Sequence, residues 1–83
     1  MTSSDELLRR NTQRQPRKEV LPTEPAMRIA IVACMDSRID MFEAFGLRTG
    51  EAHVLRNAGG VVTDDVVRSL AVSQRKLGTR EIM

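Results

Sequence analysis

The chain contains no tryptophan and no tyrosine, and Phe42 and Phe45 are its only aromatic residues. A core built from it must be aliphatic, drawn from Val, Ile, Leu, Met and Ala. It also lacks a platform on which nucleic acid bases could stack. One cysteine, Cys34, excludes an intrachain disulfide. No apolar run reaches the ~18 residues of a membrane span, and no charged-then-apolar leader is present, so a soluble, cytoplasmic protein with no membrane partner is expected. Neither a G-x-G-x-x-G nor a P-loop follows any apolar segment, which removes the common nucleotide-binding frames. Internal repeats and low-complexity tracts are absent as well.

The formal charge of +2 is small, and a pI near 9.3 could suggest a nucleic acid partner. The placement of the charge argues otherwise. Arg9, Arg10, Arg14, Arg17 and Lys18 crowd the N-terminal stretch with no aromatic among them, the pattern of a solvated basic arm. With 83 residues there is room for one small domain. Such a chain buries about 60–65% of its unfolded surface, so an oligomer or a fragment of a larger domain is expected.

Ser3-Ser4-Asp5-Glu6 before Leu7-Leu8-Arg9-Arg10 predicts a short N-terminal helix with acid in its first turn. Pro16, Pro22 and Pro25 then forbid regular structure over 15–26. This divides the chain into an arm and linker, 1–26, and an α/β portion, 27–83. The apolar run Ile29-Ala30-Ile31-Val32-Ala33 predicts a parallel strand buried on both faces, Arg28 to Cys34. Ser37 with Asp40 resembles a capping box, and Ile39, Phe42 and Phe45 would share the apolar face of a two-turn helix closed by Gly46.

Ala52 to Arg56 predicts a second strand, and Asn57-Ala58-Gly59-Gly60 a tight turn. The best-marked element follows. Thr63 is a natural N-cap, Asp64 and Asp65 suit the positive helix start, and Arg75 and Lys76 suit the negative end before Gly78. Val66, Val67, Leu70, Ala71 and Leu77 supply its apolar stripe. Thr79 to Met83 predicts the start of a third strand. The order strand, helix, strand, helix, strand implies a parallel sheet with helices on its faces, and three strands amount to the front half of such a domain.

Open α/β sheets bind ligands beyond the carboxyl ends of their strands, which puts Cys34-Met35-Asp36-Ser37-Arg38 at the lip of a crevice. A thiolate is a soft ligand for Zn²⁺, and a carboxylate two residues on can ligate the same ion or accept a hydrogen bond from a group bound to it. Arg38 can hold that carboxylate bidentately and keep it ionised. A catalytic zinc usually takes three protein ligands, so at least one more must come from elsewhere. His53, on a strand among apolar neighbours, reads as a structural histidine. Asp36 and Ser37 can also act as helix caps, and a lone cysteine at a strand end can be a small buried hydrophobe.

Cys34-Met35-Asp36-Ser37-Arg38, then His53-Val54-Leu55-Arg56-Asn57-Ala58-Gly59-Gly60 and a helix opening Thr63-Asp64-Asp65, resemble the β-class carbonic anhydrases from about Arg28 to Met83. Two motifs in the right order and separation make the resemblance specific. It implies that Cys34 ligates Zn²⁺ and that Asp36 and Arg38 form a catalytic dyad. In one state the dyad is salt-bridged; in another Asp36 itself closes the metal site. It also implies carbon dioxide and bicarbonate as substrates, a homo-oligomer (dimer or tetramer), and two further ligands in a His-x-x-Cys pair after the third strand. That pair is not among these residues, so the chain alone is expected to be inactive. The competing readings are a non-catalytic relative or fragment acting through subunit contacts, and a redox-active thiol protein. A cysteine-phosphatase loop is excluded, because it wants an arginine where Asp40 stands.

Overall fold

The computed structural model describes all 83 residues, Met1–Met83. Three parallel strands form one sheet: β1, Ile29–Cys34; β2, Ala52–Asn57; and β3, Glu81–Ile82, in the order β2-β1-β3. The apolar run thus occupies the central strand, whose backbone groups are paired on both sides and whose side chains are the most shielded. β1 and β2 run in register from Ile29 opposite Ala52 to Cys34 opposite Asn57. On its other side β1 begins opposite Glu81 and Ile82, and Met83 extends that pairing through bonds to Ala30 and Val32. The first strand starts at Ile29 and not at Arg28, because Arg28 takes a positive φ of 54° and turns the chain into the sheet.

Three α-helices accompany the sheet: α1, Ser3–Gln13; α2, Met41–Phe45; and α3, Asp64–Leu77. α1 is capped one residue earlier than its serines suggest. The Thr2 hydroxyl accepts from the Asp5 N–H while the Asp5 carboxylate accepts from the Thr2 N–H, a reciprocal box that satisfies two otherwise unpaired donors. No residue of α1 is buried. Between Gln13 and Ile29 there is no helix or strand, as three prolines require. α3 matches its sequence signals closely: Thr63 caps it, and Gly78 ends it in a left-handed conformation.

The expected Ser37–Asp40 capping box does not form. The cap is Asp40 itself, whose carboxylate accepts from the Phe42 and Glu43 N–H groups, so α2 spans one short turn from Met41 and leaves Ile39 outside. The apolar face foreseen there is reversed as well: Met41 is the buried residue, while Ile39, Phe42 and Phe45 are 41%, 49% and 54% exposed. On α3, the expected stripe is only partly buried: Val66 is buried but Val67 is exposed.

The buried hydrophobic residues are Ala30, Ile31, Met41 and Val66, an aliphatic core as the composition demands. Ser73 and Thr79 are buried with them, which no apolar pattern foretells. They are satisfied by a chain of hydrogen bonds. His53 Nε2 lies 2.9 Å from the Thr23 carbonyl, and Nδ1 lies 2.6 Å from Ser73 Oγ; Ser73 Oγ lies 2.6 Å from Thr79 Oγ1. A carbonyl only accepts, so in the neutral ring Nε2 carries the proton, Ser73 donates to Nδ1, and Thr79 donates to Ser73. His53 thereby ties the proline-rich linker to β2, α3 and the approach to β3. This is the structural role read from its apolar setting.

Candidate metal centre

Cys34 is the last residue of β1, and the chain beyond it leaves the ladder at once. Met35 N–H still donates to the Asn57 carbonyl at 2.8 Å. Asp36 then closes a turn on Arg38, its Oδ1 accepting the Arg38 N–H at 2.9 Å, and its carbonyl accepts the Ile39 N–H at 3.0 Å. A short polar side chain that accepts from the backbone two residues on is a local alternative to helix. This is why Asp36 and Ser37 do not start α2.

The side chains of Asp36 and Arg38 form the predicted pair. Arg38 Nη2 donates to Asp36 Oδ2 at 2.7 Å, and Nε lies 3.1 and 3.2 Å from the two carboxylate oxygens. The guanidinium of Arg38, followed by its backbone N–H, holds the Asp36 carboxyl below the usual carboxylate range. Asp36 is therefore ionised at neutral pH and able only to accept hydrogen bonds.

Cys34 is half-buried and free. Its thiol is drawn below the ordinary thiol range, first by the Asp36 backbone N–H and then by the Gly59 N–H; burial and the Asp36 charge push the other way. The thiolate is thus favoured by oriented amide dipoles, the same means by which strand-end turns bind anions.

Gly59 belongs to a single 3₁₀ turn, Ala58–Gly60, folded across the end of β1. The Asn57 side chain closes this turn, donating to the Val61 carbonyl at 2.7 Å and accepting its N–H at 2.8 Å. Gly59 and Gly60 have φ of 84° and 63°. At Gly60 the demand is also spatial, since a Cβ there would lie 3.0 Å from Cys34 N and 3.1 Å from the Ala33 carbonyl carbon. The two glycines make a tight turn, with a close backbone approach at Gly60.

A further residue, Arg56, which lies in the second motif without a role assigned to it, joins these groups. Arg56 Nε donates to the Cys34 carbonyl at 2.7 Å and Nη2 to the Asp36 carbonyl at 2.8 Å. The expected crevice at Cys34 is not formed. A hollow of about 260 Å³ lies instead between β2 and α3, beside His53 and Ser73, and two others lie at the linker and beside Arg38. Only the 58–60 turn rises beside Cys34, and one wall does not make a cleft.

The donor chemistry fits a soft divalent cation in part. Cys34 offers a thiol whose ionisation is eased by neighbouring backbone N–H groups, and Asp36 stands two residues away, held by Arg38. No three His, Cys, Asp or Glu side chains converge on one point, so residues 1–83 offer at most two donors of a set. No helix is long and apolar enough to cross a membrane.

A parallel sheet with a thiol and a guanidinium-held carboxylate at the end of its central strand defines an α/β protein whose chemistry-bearing side chains stand at a strand end. The carbonic anhydrase family model matches residues 29–83. The chain is 57% identical over 84 aligned positions to beta-carbonic anhydrase 1 of Mycobacterium tuberculosis, covering 100% of this chain and 52% of that protein. It is 40% identical to a carbon disulfide hydrolase of Saccharolobus solfataricus, over 95% of this chain and 38% of that protein. The crystal structure of the carbonic anhydrase from Streptococcus mutans superposes with a TM-score of 0.87 at 47% identity, covering 99% of this chain and 51% of the other. This chain belongs to the β-class carbonic anhydrase family, and it spans about half the length of the mycobacterial relative it matches.

Proposed function

We propose that residues 1–83 supply the thiol and carboxylate side of a carbonic anhydrase centre that hydrates carbon dioxide reversibly to bicarbonate and a proton. The observation that carries this is the Asp36–Arg38 fork two residues from the free Cys34 thiol. It is supported by 57% identity to a beta-carbonic anhydrase.

Cys34 would hold a zinc ion, with the remaining ligands supplied from outside residues 1–83. Zinc, when bound, acts as a Lewis acid and lowers the pKa of a coordinated water to about 7, a value established for the three-histidine carbonic anhydrases. The chain's own part is positional. Asp36 accepts a hydrogen bond from the reacting group and so directs that group's free lone pair at the carbon of carbon dioxide. Arg38 prevents Asp36 from rotating away or taking up the proton. Asp36 leaving Arg38 to become a ligand itself would close the site.

Leu7, Leu8, Phe42, Phe45 and Val67 are each close to half exposed or more, which supports assembly as a homo-oligomer, dimer or tetramer. A cytoplasmic location belongs to the same proposal. Carbon disulfide is the competing substrate, since one relative is named for its hydrolysis; the higher identity to the mycobacterial carbonic anhydrase favours carbon dioxide. Stopped-flow hydration with a pH indicator, run beside a hydrogen sulfide assay with carbon disulfide, decides between them. Zinc-dependent turnover of carbon dioxide is expected, and turnover of carbon disulfide alone would overturn the assignment.

A further inference from the structure

We propose that Arg56 is a positioning residue of this centre, its guanidinium bridging the backbone carbonyls of Cys34 and Asp36 so that thiolate and carboxylate face one point. The proposal rests on the assignment of Cys34 and Asp36 to the reaction centre.

Arg56 stands on β2 directly opposite Ala33, one register position before the site. Its side chain runs along the sheet end and places two donors on two acceptors, 2.7 Å to the Cys34 carbonyl and 2.8 Å to the Asp36 carbonyl. These carbonyls flank Met35, whose own N–H is held by the Asn57 carbonyl at 2.8 Å. The whole arc 34–36 is therefore fastened to residues 56 and 57. No other side chain bonds the carbonyl of Cys34. The Asp36 carbonyl has one other partner, the Ile39 N–H at 3.0 Å, which lies within its own turn and cannot fix the arc against the sheet.

The division of labour between the two arginines follows. Arg38 governs the direction of the Asp36 carboxylate; Arg56 governs where the backbone presents that carboxylate relative to Cys34. The task suits arginine alone among cations. A planar fork of fixed N–H groups can span two carbonyls at once, whereas a lysine ammonium is a point charge on a flexible stem that would reach one or hop between them.

The test uses the intact protein carrying Arg56→Ala and Arg56→Lys, with two readouts. In the metal-free protein, NMR follows the amide protons of Asp36 and Gly59, the two backbone donors that draw down the Cys34 thiol. Gly59 lies outside the arc but only three residues from Arg56, so the shift at Asp36, twenty residues away in sequence, carries the inference and that at Gly59 corroborates it. Both resonances are expected to shift upfield in both variants and to return toward parent values when ethylguanidinium is added to Arg56→Ala. In the second readout the protein is titrated with Co²⁺. The visible bands of the bound ion are expected to change in both variants, with affinity falling about tenfold or more, the usual cost of losing an orienting partner.

Parent-like amide shifts in Arg56→Ala would overturn the proposal. So would full retention of shifts and Co²⁺ affinity in Arg56→Lys, which would show that charge alone suffices. If Arg56→Ala fails to fold, Arg56→Lys, which keeps the stem and the charge, decides the matter by the same measurements. A parent protein that takes up no Co²⁺ would count against the metal-centre assignment, while the amide shifts would still decide the role of Arg56 in placing the Cys34 sulfur.

Discussion

Replacing Gly60 by alanine tests how the end of β1 is held. The residue has φ of 63°, a left-handed conformation that costs an L side chain about 1–2 kcal/mol. The added Cβ would also stand 3.0 Å from Cys34 N and 3.1 Å from the Ala33 carbonyl carbon. Neither is the yielding tip of a side chain, so relief requires the 58–60 turn or the strand end to move, and overpacking of this kind typically costs a further 1–3 kcal/mol or about that. The total expected is about 3 kcal/mol. Gly59 is the built-in control: its φ is 84°, but its added Cβ would meet only Val61 Cγ2, at 3.4 Å. Gly59→Ala should therefore cost the conformational part alone, about 1–2 kcal/mol. With a urea dependence of roughly 2 kcal/mol per molar, the midpoint should fall by about 1.5 M for Gly60→Ala and by about half that for Gly59→Ala. Equal midpoints for the two variants of the intact protein would refute the close-approach argument.

Arg38→Ala should lower the carbon dioxide hydration rate of the intact protein about 10–100-fold while leaving most of the zinc in place, because it frees an orienting group and removes no ligand. Equal rates by stopped flow would contradict the role. The same variant should raise the Asp36 titration toward the ordinary carboxylate range, read from its side-chain carboxyl carbon by NMR. Pairing holds the folded-state value down, so its contribution to stability is present above the unfolded carboxylate pKa and is lost as pH falls through the folded one. A polypeptide of residues 1–83 alone is expected to associate or unfold and to show no hydration activity, since only 7 of its 83 residues are buried and at most two metal donors are present. A monomeric, cooperatively unfolding and active 1–83 would overturn that expectation.

The parts legible in the sequence were those whose signals are local. Thr63, the two aspartates after it and Gly78 each act within a turn of α3, so that helix was bounded to the residue. The β1 run was legible because a central parallel strand is apolar on both faces. The Asp36–Arg38 pair followed from spacing, since a side chain two residues on can fold back on a turn. Three features escaped because their causes lie across the fold. α2 was misdrawn because Ser37 and Asp40 both have cap chemistry, and only the turn closed by Asp36 decides between them. Ser73 carries no apolar signal, yet it is buried because His53 and Thr79 answer both its proton and its lone pair. Arg56 stands within the second motif, but its sequence context gives it no role of its own; the available signal is that a strand paired in register with β1 brings it beside the segment that follows Cys34.

The central claim is that Cys34 is a zinc ligand of the intact protein, and metal content tests it most directly. Parent protein and Cys34→Ser would be purified in parallel, freed of loosely bound metal by dialysis, and measured by elemental analysis against protein concentration. The exchange removes a soft anionic donor and nearly preserves volume, so folding should survive while metal binding does not. One zinc per chain in the parent and little in Cys34→Ser is the predicted result; undiminished zinc in the variant would contradict the account.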